Sequence, residues 1–355
     1  MGSHGGFFLP FDLTEGPDIS ENSRTPPLHP APLFPFSAAS GNSMKILLSL
    51  LLCLFLGQPS QARADQPREL TATVFPVWIL LKEVAKDVPG VSVNLLLPAG
   101  SGCPHDYAMT PADRRTLARA DVLVMNGLGL EGFLGHAAKR RTLLKPGASV
   151  VIAARGLSGI LPSEGSCEGH SHADHKENTH TANPHLFASP SMMANMARSI
   201  SSQLAQFDAA NAARYRANGA DIASRLDALA AECRASGQKL ARRVIVTQHN
   251  IFDYLARDMG LEVAAHVQAH DGHEPSARAM LDLVRLIRTK KVAAVITEPQ
   301  YPARAGRTLA AETGIPCISL DPAANGPEHL DHPLDWYEKT MRANLRTLEQ
   351  ALGTR

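Results

Sequence analysis

The chain has 355 residues, with 35 basic and 34 acidic side chains, a formal net charge of +1 and 44% hydrophobic content. That composition is globular and large enough for one big or two modest cores. A charge near zero without a Lys/Arg run argues against nucleic acid as a partner, and 5% aromatic content argues against a base-stacking surface.

Residues 1–43 are rich in Pro, Gly and Ser and lack helix or strand periodicity, so they read as an unstructured extension ahead of a true start at Met44. Met44-Lys45, an apolar run of eleven residues from Ile46 to Leu56, and Ala62-Arg63-Ala64 follow in the order of a signal peptide spanning 44–64. The run is well short of the ~20 residues that span a bilayer. Leu52 precedes Cys53 where a lipoprotein signal needs a small residue. The expected product is a periplasmic protein starting at Asp65. Export permits disulfides. Cys103, Cys167, Cys233 and Cys317 allow three pairings, and spacing does not choose among them.

From Leu70 short strand-like runs alternate with helical stretches. Leu70–Phe75, Val91–Leu97, Asp121–Asn126 and Ser149–Ala153 read as strands; Pro76–Asp87, Pro111–Ala120 and Glu131–Lys139 read as helices. Thr110 before Pro111 makes an N-cap and first-turn pair. A long loop, His-rich over 165–182, closes a first lobe at 65–188. Ser189-Pro190 opens a linking helix region, 189–238, in which Met193, Met196, Ala197, Ile200 and Leu204 form one apolar face and read as core. The pattern resumes over 239–355. Strands are expected at Arg243–Gln248, Leu261–Val267, Val292–Thr297 and Pro316–Leu320. Helices are expected at Ile251–Met259, Pro275–Lys290 and Ala303–Thr313, with a last one from about Leu334 to Leu352. The fold class is therefore α/β: two parallel-sheet lobes of βα units joined by a long rigid linking helix.

One bias stands out against this background: fifteen histidines, five of them between His170 and His185. Ligands of open parallel sheets sit outside the carboxyl ends of the strands. His105 lies in the loop after Val91–Leu97, His249 directly follows Arg243–Gln248, and Asp321 directly follows Pro316–Leu320. His185 ends the long loop in Asn183-Pro184-His185. Three imidazoles and a carboxylate, two from each half, suit zinc, and also manganese or iron.

Leu97-Pro98-Ala99-Gly100, Pro104-His105-Asp106-Tyr107 and Pro111-Ala112-Asp113 resemble the first ligand motif of the zinc/manganese ABC-transporter solute-binding proteins, which include ZnuA-like and TroA-like receptors. Asn183-Pro184-His185-Leu186 resembles the second motif, and Gln248-His249 with Phe252 the third. Glu274-Pro275-Ser276-Ala277, Thr297-Glu298-Pro299-Gln300 and Leu320-Asp321-Pro322 also match that family. The resemblance implies a metal held in the interlobe cleft by His105, His185 and His249, with Asp321 as fourth ligand or water in its place. It further implies a monomeric receptor that carries Zn2+, or alternatively manganese or iron, to an ABC membrane permease. Cys103 departs from the small or acidic residue expected beside His105; it caps the site, pairs with Cys167 or has no role.

The tract His170-Ser171-His172-Ala173-Asp174-His175 also fits H-x-H-x-D-H, the zinc motif of metallo-β-lactamase-fold hydrolases. That motif should follow an apolar strand, whereas here a polar stretch, Pro162–Ser166, precedes it. With His180, the tract resembles the histidine-rich loop of zinc-specific receptors, which implies auxiliary capture by His170, His172, His175 and His180. His266, His270 and His273 form a looser group, expected at the surface, with an auxiliary metal contact near the cleft as the alternative that the resemblance implies. HExxH, GxSxG and Walker patterns are missing from the sequence. A hydrolase using His170–His175 and a surface adhesin on the same scaffold are the rival readings.

Overall fold

In the computed structural model of the chain, the β-branched runs pair into two sheets, each of four strands and all parallel. The structure describes residues 67–102, 104, 107–163, 182–268 and 274–354. The expected signal segment 44–64, residues 1–43, Cys103, His105, and the tract containing Cys167, His170, His172, His175 and His180 lie outside them, as do His270 and His273.

The first sheet comprises β1 (Arg68–Ala72), β2 (Val91–Leu95), β3 (Val122–Met125) and β4 (Ser149–Ile152) in the order β2-β1-β3-β4. Its helices are α1 (Phe75–Val84), α2 (Pro111–Arg119) and α3 (Ala137–Leu143). Helix α2 starts as expected. Thr110 accepts the Asp113 N–H while Asp113 Oδ2 accepts the Thr110 N–H at 2.7 Å, a reciprocal cap. The expected helix Glu131–Lys139 is not formed as one element. A 3-10 turn, Gly132–Leu134, ends at Gly135, whose φ of 66° is left-handed, and α3 begins beyond His136.

The linking region also divides in two. Helix α4 (Pro190–Phe207) stops at Asp208, and α5 (Ala212–Lys239) folds back along it. No Gly or Pro marks this break. Asp208 is pulled out of helical geometry, φ −121° and ψ 79°, where its carboxylate meets Arg68 at 2.8 Å and accepts from Asn211 at 2.8 Å. The expected apolar face of α4 is buried, and each such side chain stabilises by roughly 1.5–3 kcal/mol. Helix α5 has 28 residues and is about 42 Å long. Near its start Asn218 donates to the carbonyls of Val84 and Lys86, on the first half of the fold. Near its end Gly237 lies against Met259, on the second half.

The second sheet holds β5 (Val244–Thr247), β6 (Glu262–His266), β7 (Ala294–Thr297) and β8 (Cys317–Ser319) in the order β6-β5-β7-β8. Helices α6 (Asp253–Met259), α7 (Ala277–Lys290), α8 (Arg304–Thr313) and α9 (Pro333–Leu352) surround it. Gly260 and Gly314 cap α6 and α8 in the left-handed conformation.

One apolar cluster runs through both halves, from Leu70 in β1 to Leu352 in α9, while a smaller one lies under α7 and α8. Cys233 and Cys317 are free thiols, so none of the three two-disulfide frameworks forms. Among the described residues no helix is long and apolar enough to cross a membrane.

Candidate metal centre

In the second sheet the chain order reverses between β5 and β7, which are neighbours although β6 intervenes in sequence. Their carboxyl ends therefore open a crevice. The parallel register pairs Thr247 with Ile296. Two residues further along each strand stand His249 and Glu298, and their side chains meet: His249 Nδ1 lies 2.5 Å from Glu298 Oε1. Both are buried, at 3% and 2% exposure. A carboxylate facing Nδ1 favours the tautomer protonated there, which puts the lone pair on Nε2. The Tyr301 ring meets the imidazole edge-on at 5.6 Å.

His185 comes from the loop that ends at α4. Asn183 Oδ1 accepts the His185 main-chain N–H at 3.0 Å and lies 3.0 Å from His185 Nδ1. An amide oxygen only accepts, so Nδ1 again carries the proton and Nε2 the lone pair. The loop is fastened to the second half of the fold. Asn183 Nδ2 donates to the Asn250 carbonyl at 2.7 Å, Tyr254 Oη–H to the Asn183 carbonyl at 2.7 Å, and Tyr337 Oη–H to the Phe187 carbonyl at 2.9 Å. The His185 and His249 rings are thereby brought together, T-shaped, with centroids 5.1 Å apart.

The first sheet supports the same loop from beneath. Buried Glu131 bridges the ends of β1 and β3, accepting from Thr73 Oγ1 at 2.8 Å and from the Asn126 N–H at 2.6 Å. Burial pushes its carboxyl above the usual carboxylate range, against the lowering effect of these donors. Asn126 Nδ2 in turn donates to the Pro184 carbonyl at 3.0 Å, one residue before His185.

His105 lies outside the described residues. The loop that carries it is anchored downstream, where Tyr107 Oη–H donates to Asp113 at 2.8 Å. Burial and that carboxylate push the Tyr107 phenol up to about 12. Asp321 is held rigidly beside a cavity of about 520 Å3 that Gly100, Gly102 and Gln300 also line. Its main-chain N–H and carbonyl are both gripped by buried Asn344 of α9, at 3.0 and 2.7 Å. Its Oδ1 accepts the Ala323 N–H at 2.9 Å. Burial raises its carboxyl above the usual range and that N–H lowers it, with burial dominant.

Among the described residues, which exclude His105, no group of three His, Cys, Asp or Glu side chains that could hold a metal ion is present. His266 is not at the surface. Thr247 Oγ1–H donates to the His249 carbonyl at 2.9 Å, so His266 Nδ1, 2.9 Å from Thr247 Oγ1, is the donor to that hydroxyl oxygen. Sequence reasoning gave Glu298 no role of its own. The rule that singled out His249 and Asp321, a polar residue directly after a strand, applied to it equally.

The family profile described as zinc-uptake complex component A, periplasmic (ZnuA), matches residues 70–351. The chain is 28% identical over 296 residues to the high-affinity zinc uptake system protein ZnuA of Bacillus subtilis, covering 82% of this chain and 90% of that one. It is also 28% identical over 309 residues to the zinc-binding lipoprotein AdcA of Streptococcus pneumoniae, covering 86% of this chain but spanning only 60% of AdcA. Among solved structures it is similar to the SBP FpvC of Pseudomonas aeruginosa in complex with Mn2+, with a TM-score of 0.66 and 28% identity over 81% of this chain and 98% of that one.

Proposed function

The chain belongs to the zinc-uptake complex component A family, and on that premise we propose that it is a high-affinity zinc receptor delivering Zn2+ to an ABC import permease. Members of the family are metal-binding receptors that work with ABC permeases and are not enzymes. The H-x-H-x-D-H tract is accordingly not read as a hydrolase site. The receptor is a periplasmic monomer, exported by the segment 44–64 and cleaved after Ala64, with lobes at 65–188 and 239–355 joined through 189–238.

His105, His185 and His249 hold the ion, with Asp321 as the fourth ligand or water in its place. The observation that carries this reading is the convergence of the His185 and His249 rings, each with Nδ1 turned to an oxygen. Three imidazoles against one carboxylate favour zinc over manganese, which prefers oxygen. Relatives named for zinc favour the same cargo, whereas the Mn2+-bound FpvC keeps manganese as the second reading.

The test is elemental analysis and titration with zinc and manganese of the protein starting at Asp65, with and without Gly169–His180. Pro162 and Ala182 pair as an antiparallel bridge, and the Asn183 N–H donates to the Leu161 carbonyl at 2.8 Å. The described residues on either side of the His-rich tract are thus paired with each other, so a shortened loop has only a short distance to span. One tight zinc per chain should survive the deletion, while weaker sites disappear. Manganese bound more tightly than zinc would overturn the cargo; loss of the tight site with the tract would overturn the cleft.

Glu298 is assigned the task of orienting His249. Such carboxylates behind a ligating imidazole are worth about 10–100-fold in metal affinity. Glu298→Ala is expected to weaken zinc binding by that order in calorimetric or competition titrations. An unchanged dissociation constant would remove the assignment.

A further inference from the structure

Between the halves of the fold lies a contact that no metal ligand makes. The loop following Asp321 reaches across to the loop that leads from β2 towards His105. The Gly326 N–H donates to the Ala99 carbonyl at 3.0 Å. Beside it, the Asn325 side chain faces the same carbonyl and one more, and the amide orientation that suits them has Nδ2 donating to the carbonyls of Gly102 at 3.2 Å and Ala99 at 3.3 Å. A main-chain carbonyl has two lone pairs, so Ala99 serves both donors.

The approach is as close as a glycine allows. A Cβ on Gly326 would stand 2.2 Å from Phe75 Cζ and 2.5 Å from Cε1. Gly326 has no positive φ, so its glycine character is required by the nearness of the ring and not by backbone conformation. Phe75 opens α1, stacks with Trp78 at 5.7 Å and meets Trp336 of α9 edge-on at 5.4 Å. The other end of the same short loop is the Asp321 backbone gripped by Asn344. A rigid span therefore runs from α9 through Asp321 to Asn325 and Gly326, and onto the opposite loop.

Taking the proposed cleft as the metal site, we infer that the Asn325–Gly326 turn is a metal-independent latch between the halves that positions Asp321 and sets the rate of zinc release. Its parts form without any ion, because every bond in it is between protein groups. The latch holds the loops leading to the first and fourth ligands at one separation, so a bound ion departs only when the turn lets go. Asn325, Gly326 and Phe75 are positioning residues, and none is assigned as a ligand.

The test uses the protein starting at Asp65, loaded with zinc and mixed rapidly with excess chelator. Asn325→Ala removes the side-chain donors; Gly326→Ala wedges the turn off Phe75. Both are expected to release zinc about 10-fold faster or more, as befits hydrogen bonds lost from a partly buried contact, with association within about 2-fold of the parent. Adding Phe75→Leu to Gly326→Ala clears space for the new methyl and should restore slow release, which a merely destabilised fold would not do.

Both tryptophans of the chain flank the seam, so its state is visible without metal. Metal-free parent protein should show the same tryptophan emission as the zinc-loaded form, and metal-free Gly326→Ala should differ from both. Release rates unchanged in both variants would overturn the latch, as would metal-free parent emission matching Gly326→Ala. A parent that holds no tight zinc, or one indifferent to His249→Ala, would instead overturn the cleft reading beneath it.

Discussion

His249→Ala is expected to raise the zinc dissociation constant by more than about 100-fold, since losing the carboxylate behind a ligand already costs about 10–100-fold and this change removes the ligand itself. Two further consequences of the geometry add to the loss. The Glu298 carboxylate, buried and 2.5 Å from Nδ1, loses the imidazole it faces. The His185 ring loses the edge-to-face neighbour 5.1 Å away that helps to fix its position. His185→Ala should be comparably severe. His329→Ala, at an exposed position beyond the second sheet, serves as the control and should leave binding unchanged. Competition titration against a chelator of known affinity reads all three. A His249→Ala protein that keeps its affinity to within about 10-fold, below the loss expected of an outer carboxylate alone, would exclude the imidazole as a ligand.

Gly237→Ala is expected to lower folding stability by about 1–3 kcal/mol, the usual range for forcing a methyl group into a packed contact, and more if the helices cannot part. The added Cβ would stand 2.1 Å from the Met259 carbonyl oxygen and 2.7 Å from its carbonyl carbon and Cα. These are backbone atoms at the end of α6, so no side-chain rotation relieves the clash. Helix propensity pulls the other way, since alanine in place of glycine within a helix gains up to ~1 kcal/mol. The overlap decides the sign because helices α5 and α6 would have to separate. Denaturant unfolding of the metal-free protein measures the effect, and a stability equal to or above the parent would show that the two helices yield freely. A thermal shift taken with zinc present would mix this change with binding and is not the measurement to use.

The alternation of strands and helices was legible because parallel strands buried on both faces read as continuous apolar runs, such as Val122–Met125 and Ala294–Thr297. Their carboxyl ends were legible too, which is how His249 and Asp321 were singled out. What failed was non-local. The break at Asp208 carries no Gly or Pro, and the partner its carboxylate meets there, Arg68, lies 140 positions earlier in the chain. Glu131 read as the start of a helix, yet it is a buried acceptor for groups at the ends of two strands. Glu298 gains its meaning from the β5–β7 register, which places it opposite His249. Nothing local in the sequence marks the Asn325–Gly326 turn, since only the approach of Phe75 explains the glycine.

The apolar cluster that passes unbroken from β1 to α9 bears on how a membrane partner tells a loaded receptor from an empty one. A swing of the halves that exposed even ~200 Å2 of that cluster would cost about 5 kcal/mol at ~25 cal/mol per Å2. An ion can shift a conformational equilibrium only by the difference in its affinity for the two states. A receptor joined through one core therefore has little interdomain angle to offer as a signal. The message of occupancy has to be written locally, in the order and charge of the loops around the cleft mouth, and read there by a surface that fits those loops.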